Sequence, residues 1–180
     1  MSVLFWIVLT AVVLQRLLEL VLSKRNEAWL RLRGAYEVGR KHYKYLVALH
    51  ILFFATLIAE IFFCRRNIPR WWWMPFSLLL LAQGLRFWSI GTLGRRWTTR
   101  IMALPGASEV TTGPYRYLRH PNYTAVALEL LSLPLIFGAY YTALVFSVLN
   151  AAMMRIRIPA EERALSQQTV ESPRRENDAV

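Results

Sequence analysis

Residues 3–22 read VLFWIVLTAVVLQRLLELVL, with Arg16 and Glu19 the only charges in the run. In helical geometry a run of that length rises about 30 Å, the thickness of a bilayer's hydrocarbon core. Two more blocks, Tyr45 to Cys64 and Met74 to Leu93, meet the same requirement. In a chain of 180 residues that is 56% hydrophobic, apolar residues gathered into such blocks point to a membrane rather than a soluble core. From Pro121 to Ile158 the chain is apolar again, and Pro134 and Gly138 break it into a tight helical hairpin with a short first limb.

The expected fold is therefore all-α, an integral membrane bundle of about five transmembrane helices whose last two form a hairpin. The spans lie near 3–22, 45–64, 74–93, 121–137 and 140–158. Residues 1–165 make one domain, and the polar stretch 166–180, which lacks apolar periodicity, reads as a disordered tail. No positive segment precedes the first block and no small-residue cleavage site follows it, so it reads as a retained span rather than a signal peptide. The single cysteine, Cys64, excludes an intrachain disulfide. The third span carries Gly84 and Gly91 without a small-xxx-small face, so no packing motif indicates an oligomer.

Formal charge is +11, and its distribution matters more than its size. The first loop holds Lys24, Arg25, Arg31, Arg33, Arg40, Lys41 and Lys44, and the third holds Arg95, Arg96, Arg100, Arg116 and Arg119. Short loops rich in Lys and Arg stay cytoplasmic, which places the N-terminus outside and the C-terminus inside. Arg65, Arg66 and Arg70 in the second loop run against that pattern. Cations at span boundaries suit phospholipid headgroups, and nucleic acid is excluded as a partner.

Charges also fall inside the spans. Arg16 and Glu19, three residues apart, share a helix face. Glu60, Arg86, Glu129 and Asn150 lie within or near other apolar blocks. Ionisable groups at membrane depth face the bundle interior and have partners, so Arg16 and Glu19 read as helix-to-helix glue. For Arg86 and Glu129, structural pairing and a role in a substrate channel stand as alternatives.

Between the third and fourth spans lies a polar, aromatic island, GPYRYLRHPNY over residues 113–123. Gly113 and Pro114 signal a turn, and Pro121 suits the first position of the next helix with His120 just ahead of it. Free amides at that helix start suit an anionic group, Arg119 and His120 add charge-assisted hydrogen bonds, and Tyr115, Tyr117 and Tyr123 offer flat faces to a ring or a cation. The bland alternative is an interfacial belt of Tyr and Arg at headgroup level. A second segment, RIPAEERAL over residues 157–165, sets Glu161 and Glu162 where positive charge is expected. Pro159 is expected to restart the chain and put both carboxylates in a first helical turn. Arg157, four residues before Glu161, can pair with it and leave Glu162 for an ammonium group.

Together these two segments resemble the isoprenylcysteine carboxyl methyltransferase family of integral membrane enzymes. The first half, with Arg16, Glu19, Arg25, Asn26, Trp29, Gly34, Glu37, His42 and Tyr43, resembles a bacterial subgroup beside lipid or polyketide pathways. The resemblance implies S-adenosyl-L-methionine as methyl donor on the cytoplasmic side of a bacterial plasma membrane. Tyr115, Arg119, His120, Pro121, Tyr123, Glu161 and Glu162 would bind it, Arg157 would stand close to the acceptor, and Arg86 and Glu129 complete the catalytic candidates. No metal ligand set is read, and no Gly-rich strand-to-helix turn of the soluble dinucleotide-binding kind is present.

Methyl transfer asks the protein mainly for positioning and exclusion of water. A carboxylate acceptor is ionised at neutral pH and needs no base; a phenol or enol acceptor calls for His120 or a buried glutamate. The acceptor expected is lipophilic, either an isoprenylcysteine-like carboxylate or a polyketide lipid hydroxyl. The Arg-His-Pro-x-Tyr element also occurs in membrane sterol reductases, so an NADPH-dependent reductase is one alternative and a non-catalytic lipid-binding protein another.

Overall fold

The computed structural model describes residues 3–170. Five helices carry it: α1 (Val3–Arg31), α2 (Arg40–Phe63), α3 (Trp73–Leu93), α4 (Pro121–Ile136) and α5 (Tyr140–Val170), with two short strands, β1 (Tyr36–Val38) and β2 (Ile101–Ala103). Four of the helices, α1, α2, α3 and α5, are long and apolar enough to cross a membrane. The fourth, α4, has 16 residues with Pro134 inside its last turn, and reaches only about 24 Å.

The bundle is apolar outside and charged inside. Leu18, Leu81 and Leu144 are 70%, 69% and 66% exposed, whereas Arg86 and Glu129 are 2% exposed. That inversion is what a lipid solvent selects, because a charge in hydrocarbon costs more than a leucine and is kept against partners in the interior. The chain is an all-helical integral membrane protein.

Two helices run further than their apolar blocks. α1 continues past Leu22 to Arg31 because Ser23, Asn26 and Leu30 recur at helical spacing and are buried on one face. α5 passes through Pro159, where a restart was expected, and on to Val170. The hydrogen bond that Pro159 forfeits belongs to the carbonyl of Arg155, an exposed residue whose carbonyl group water or headgroups can satisfy. Residues 166–170, assigned above to a disordered tail, thus have helical backbone, and 171–180 lie outside the described residues.

At one end of the bundle, the turns 64–72 and 137–139 meet. Glu60 accepts from the backbone N–H of Tyr141 and Thr142 at 3.2 and 2.8 Å and from the Thr142 hydroxyl at 2.8 Å. A carboxylate of α2 therefore caps the amide-rich start of α5. Arg66 pairs with Glu60 at 3.3 Å and lies over the rings of Tyr140 and Tyr141, which gives one of the three second-loop arginines a structural task. Gly138 turns the hairpin with φ +69, and a Cβ there would stand 3.1 Å from the carbonyl oxygen of Asn67. The main core fills this half, joining Phe5 and Leu9 of α1, Phe53 and Leu57 of α2, Leu79 of α3, Leu133 of α4 and Phe146 of α5.

The opposite end gathers the ends of α1, α3 and α5, the starts of α2 and α4, and both strongly basic loops. β1 pairs with β2 antiparallel, Tyr36 opposite Ala103 and Val38 opposite Ile101, so the first and third loops form one small sheet. Ile101 and Ala103 pack on Ala160 and Ala164, which ties the sheet to α5.

Candidate functional site

In the loop-side half the bundle is held by polar groups rather than by close apolar packing. Arg16 donates to Glu19 at 2.7 Å and also to Glu129, while Arg86 donates to Glu19 at 3.1 Å and lies 3.4 Å from Glu129. Gln15 donates to Glu19 at 2.9 Å and to Gln83 at 2.7 Å, and Gln83 donates to Glu129 at 3.1 Å. Two cations, two anions and two amides from α1, α3 and α4 thus close a ring with no net charge. Each charge meets its opposite, the condition under which buried ions are tolerated. Three donors of the ring, Arg16 Nε and Arg86 Nε and Nη2, nevertheless have no hydrogen-bond acceptor among the described residues.

One to two helical turns nearer the loops lies a second group. A short 3-10 turn over Gly113–Arg116 sets Tyr115 against the bundle, and Pro121 opens α4 just after His120. The imidazole of His120 stacks on Tyr123, with centroids 5.6 Å apart. Its Nε2 lies 3.4 Å from Glu162 and its Nδ1 4.0 Å from Glu161. Tyr123 donates its hydroxyl to Glu161, so α4 and α5 meet through the two motifs of the sequence. Arg119, 90% exposed, stands 3.9 Å from Glu162 at the rim. Burial first, and then the Glu161 carboxylate, push the Tyr115 phenol above the usual tyrosine range, so it keeps its proton at neutral pH.

Arg157 is buried at 4% exposure, with its guanidinium carbon 5.8 Å from the centre of the Tyr123 ring. Its Nη2 donates to the carbonyl of Thr99 at 3.0 Å, and its buried Nε has no hydrogen-bond partner among the described residues. Residues 94–103, which carry Thr99, are fastened by the first half of the chain. Ser23 accepts from the Thr99 amide at 3.0 Å, Asn26 donates to the carbonyl of Trp97 at 2.7 Å, and the hydroxyls of Tyr43 and Thr99 are 3.2 Å apart. Arg100 binds Glu37 at 2.5 Å and Glu27 at 3.4 Å, with Tyr43 beneath it at 4.1 Å.

Between the charge ring and the loop-side group opens a cavity of about 460 Å³. That is room for a sizeable organic ligand. Tyr115, His120, Tyr123, Arg157 and Glu161 line its polar end, Arg16, Glu19 and Arg86 its inner floor, and Leu17 and Leu20 of α1 with Val47, Ile51 and Phe54 of α2 its apolar wall.

The structure therefore brings Tyr115, Arg119, His120, Pro121, Tyr123, Arg157 and Glu161 to one end of the cavity, while Glu162 stands off its wall, reaching it through His120 at 3.4 Å. Arg86 and Glu129 stand apart from them in the ring with Arg16 and Glu19, and Glu129 does not reach the cavity wall. Arg157, expected beside Glu161 as its ion pair, bonds Thr99 instead. Three contributors were not read from sequence: Thr99, the pair Gln15 and Gln83, and His50, which lines the cavity from α2. His50 did carry a signal, being a histidine inside the block 45–64.

A helical bundle that keeps its charges inside, with a cavity between its basic loop end and an apolar wall, defines a multi-pass membrane protein. Residues 73–167, more than half of the chain, match the isoprenylcysteine carboxyl methyltransferase (ICMT) family. This chain belongs to that family. It is 39% identical over 166 residues to the uncharacterized protein YpbQ of Bacillus subtilis, covering 92% of this chain and 99% of that one. It is 30% identical over 131 residues to protein-S-isoprenylcysteine O-methyltransferase B of Arabidopsis thaliana, covering 71% of this chain and 65% of the plant protein. A protein of Haemophilus influenzae is 30% identical over 152 residues. No solved structure matches the chain.

Proposed function

We propose that this chain is an S-adenosyl-L-methionine-dependent methyltransferase that methylates a carboxylate or hydroxyl of a lipophilic acceptor, isoprenylcysteine-like or a polyketide lipid, at the cytoplasmic face of a bacterial plasma membrane. The observation that carries the reading is the shared cavity, which joins the His120, Tyr123 and Glu161 cluster to the apolar wall of α1 and α2. The basic loops gather at that same end, which supports a cytoplasmic site.

The residues present fit the donor. Glu161 and Glu162, with side chains 31% and 46% exposed, supply negative charge for its ammonium group at the rim. Tyr115, kept protonated, and Tyr123 offer faces to its ring and hydrogen bonds to its sugar. The donor supplies a methyl group on a positively charged sulfur. Arg157 stands beside the acceptor oxygen, and its bond to the Thr99 carbonyl keeps the guanidinium in place. The strapped segment 94–103, with Trp97 buried, shields the polar end from water, where electrostatic contacts strengthen.

Methyl transfer into a lipid extract, measured with labelled donor, tests the assignment. Loss in both Arg157→Ala and Glu162→Ala, with both proteins monodisperse in detergent, is expected; full activity in both contradicts it.

A further inference from the structure

We propose that His50 is the proton acceptor of the reaction and that the methylated group is a hydroxyl; the inference rests on the methyltransferase reading above. His50 stands on the cavity wall in α2, level with the space between the charge ring and the loop-side group. Its Nδ1 is 2.9 Å from the carbonyl oxygen of Leu46, one turn earlier. A carbonyl oxygen only accepts, so Nδ1 carries the proton, and in the neutral ring Nε2 is left with its lone pair. No hydrogen bond engages Nε2 among the described residues.

The other groups that a sequence reading offers as bases are occupied. His120 turns both ring nitrogens toward the carboxylates of Glu161 and Glu162. Glu19 and Glu129 each accept from arginine and glutamine within the ring. A carboxylate acceptor arrives ionised and gives a base nothing to do, whereas a neutral hydroxyl must lose its proton as it is methylated. A basic lone pair held open on the wall of an intramembrane cavity is therefore a feature that a hydroxyl acceptor explains and a carboxylate leaves without use.

The ionisable groups around His50 carry both signs. Arg16 and Glu19 of α1, Arg86 of α3, Tyr123 of α4, Arg157 of α5 and Tyr43 of its own helix line the same cavity, and Glu129 of α4 pairs with Arg16 off the cavity wall. As Nε2 takes the hydroxyl proton, the oxygen bonds to the methyl carbon and the carbon–sulfur electron pair stays on sulfur. A sulfonium and a neutral imidazole become a thioether and an imidazolium, so the cavity holds the same total charge before and after.

The test uses purified full-length protein in detergent with two probe acceptors, para-dodecylphenol and its ortho-nitro derivative, whose hydroxyl is already ionised at the assay pH. His50→Ala and His50→Gln are compared with the parent, with S-adenosylhomocysteine affinity as the control for folding. The expected result is a loss of kcat of about 10²- to 10⁴-fold on para-dodecylphenol, a much smaller loss on the nitrophenol, and unchanged S-adenosylhomocysteine affinity. Without donor, the visible band of bound nitrophenolate appears at lower pH in the parent than in His50→Ala. Equal losses on both phenols, or parent protein that methylates N-acetyl-S-farnesylcysteine and neither phenol, overturns the role of His50 and leaves the methyltransferase reading standing. Absence of S-adenosylhomocysteine binding by the parent overturns that reading itself.

Discussion

Nη2 of Arg157 donates to the backbone carbonyl of Thr99 at 3.0 Å, which fastens α5 to the segment covering the cavity. The same Thr99 is held on its other side by Ser23 of α1 and Tyr43 of α2. Three helices therefore converge on one loop residue, and the bond fixes the Arg157 guanidinium at the cavity wall. Lysine keeps the charge at this position and loses the planar fork. In Arg157→Lys, methyl transfer is expected to fall about 10- to 100-fold, the size of a hydrogen bond to a charged group. Steady-state kinetics and S-adenosylhomocysteine affinity, which should stay near the parent value, check it.

The ring of Arg16, Glu19, Arg86 and Glu129 is expected to show in stability before it shows in activity. Glu129→Ala leaves Arg16 and Arg86 sharing one carboxylate, and removing one partner of a buried pair costs about 3–5 kcal/mol. The double variant Arg16→Ala/Glu129→Ala should lose less than the sum of the two single changes, because it removes the charges together. Denaturation curves in matched micelles measure both.

Gly113 sits at φ +58, and a Cβ there would press on the Thr92 side chain, with Cγ2 at 3.0 Å. The left-handed backbone alone costs an alanine about 1–2 kcal/mol. Gly113→Ala should destabilise by more than that, and Thr92→Ala in the same chain should recover the contact part and not the backbone part. Unfolding of the three variants gives the division.

The raised Tyr115 phenol has a pH consequence of definite sign. Burial, followed by the Glu161 carboxylate, lifts its folded value above that of the unfolded chain. Its contribution to stability is complete below the ordinary tyrosine value of about 10 and falls away as pH rises beyond it. A thermal midpoint that is flat through neutral pH and drops above about pH 10, with a shallower drop in Tyr115→Phe, is the expected profile.

The fold class was legible because length and apolarity alone specify membrane helices, and α1, α2, α3 and α5 lie over blocks visible at a glance. Their true ends were harder. Lys24 to Arg31 continue α1 on packing supplied by Trp97 and Thr99, residues far along the chain. β1 and β2 are three residues each, too short to show alternation, and depend on two loops meeting. The shared face of Arg16 and Glu19 followed from their spacing, yet Gln83, Arg86 and Glu129 join them only through the packing of α3 and α4. Likewise, the motifs around His120 and Glu161 could be seen separately, whereas the Tyr123 bond to Glu161 and the placement of Arg157 on Thr99 are products of three-dimensional closure.

On this reading the His120, Tyr123 and Glu161 end of the cavity, with Glu162 beside it, binds the methyl donor. Calorimetric titration of the detergent-solubilised protein with S-adenosylhomocysteine, beside NADPH, decides the matter. Saturable binding of S-adenosylhomocysteine by the parent protein, weakened at least about tenfold in Glu162→Ala, as loss of one charge-assisted contact implies, is the expected result. Binding of NADPH alone, or no saturable heat from either ligand, would contradict it.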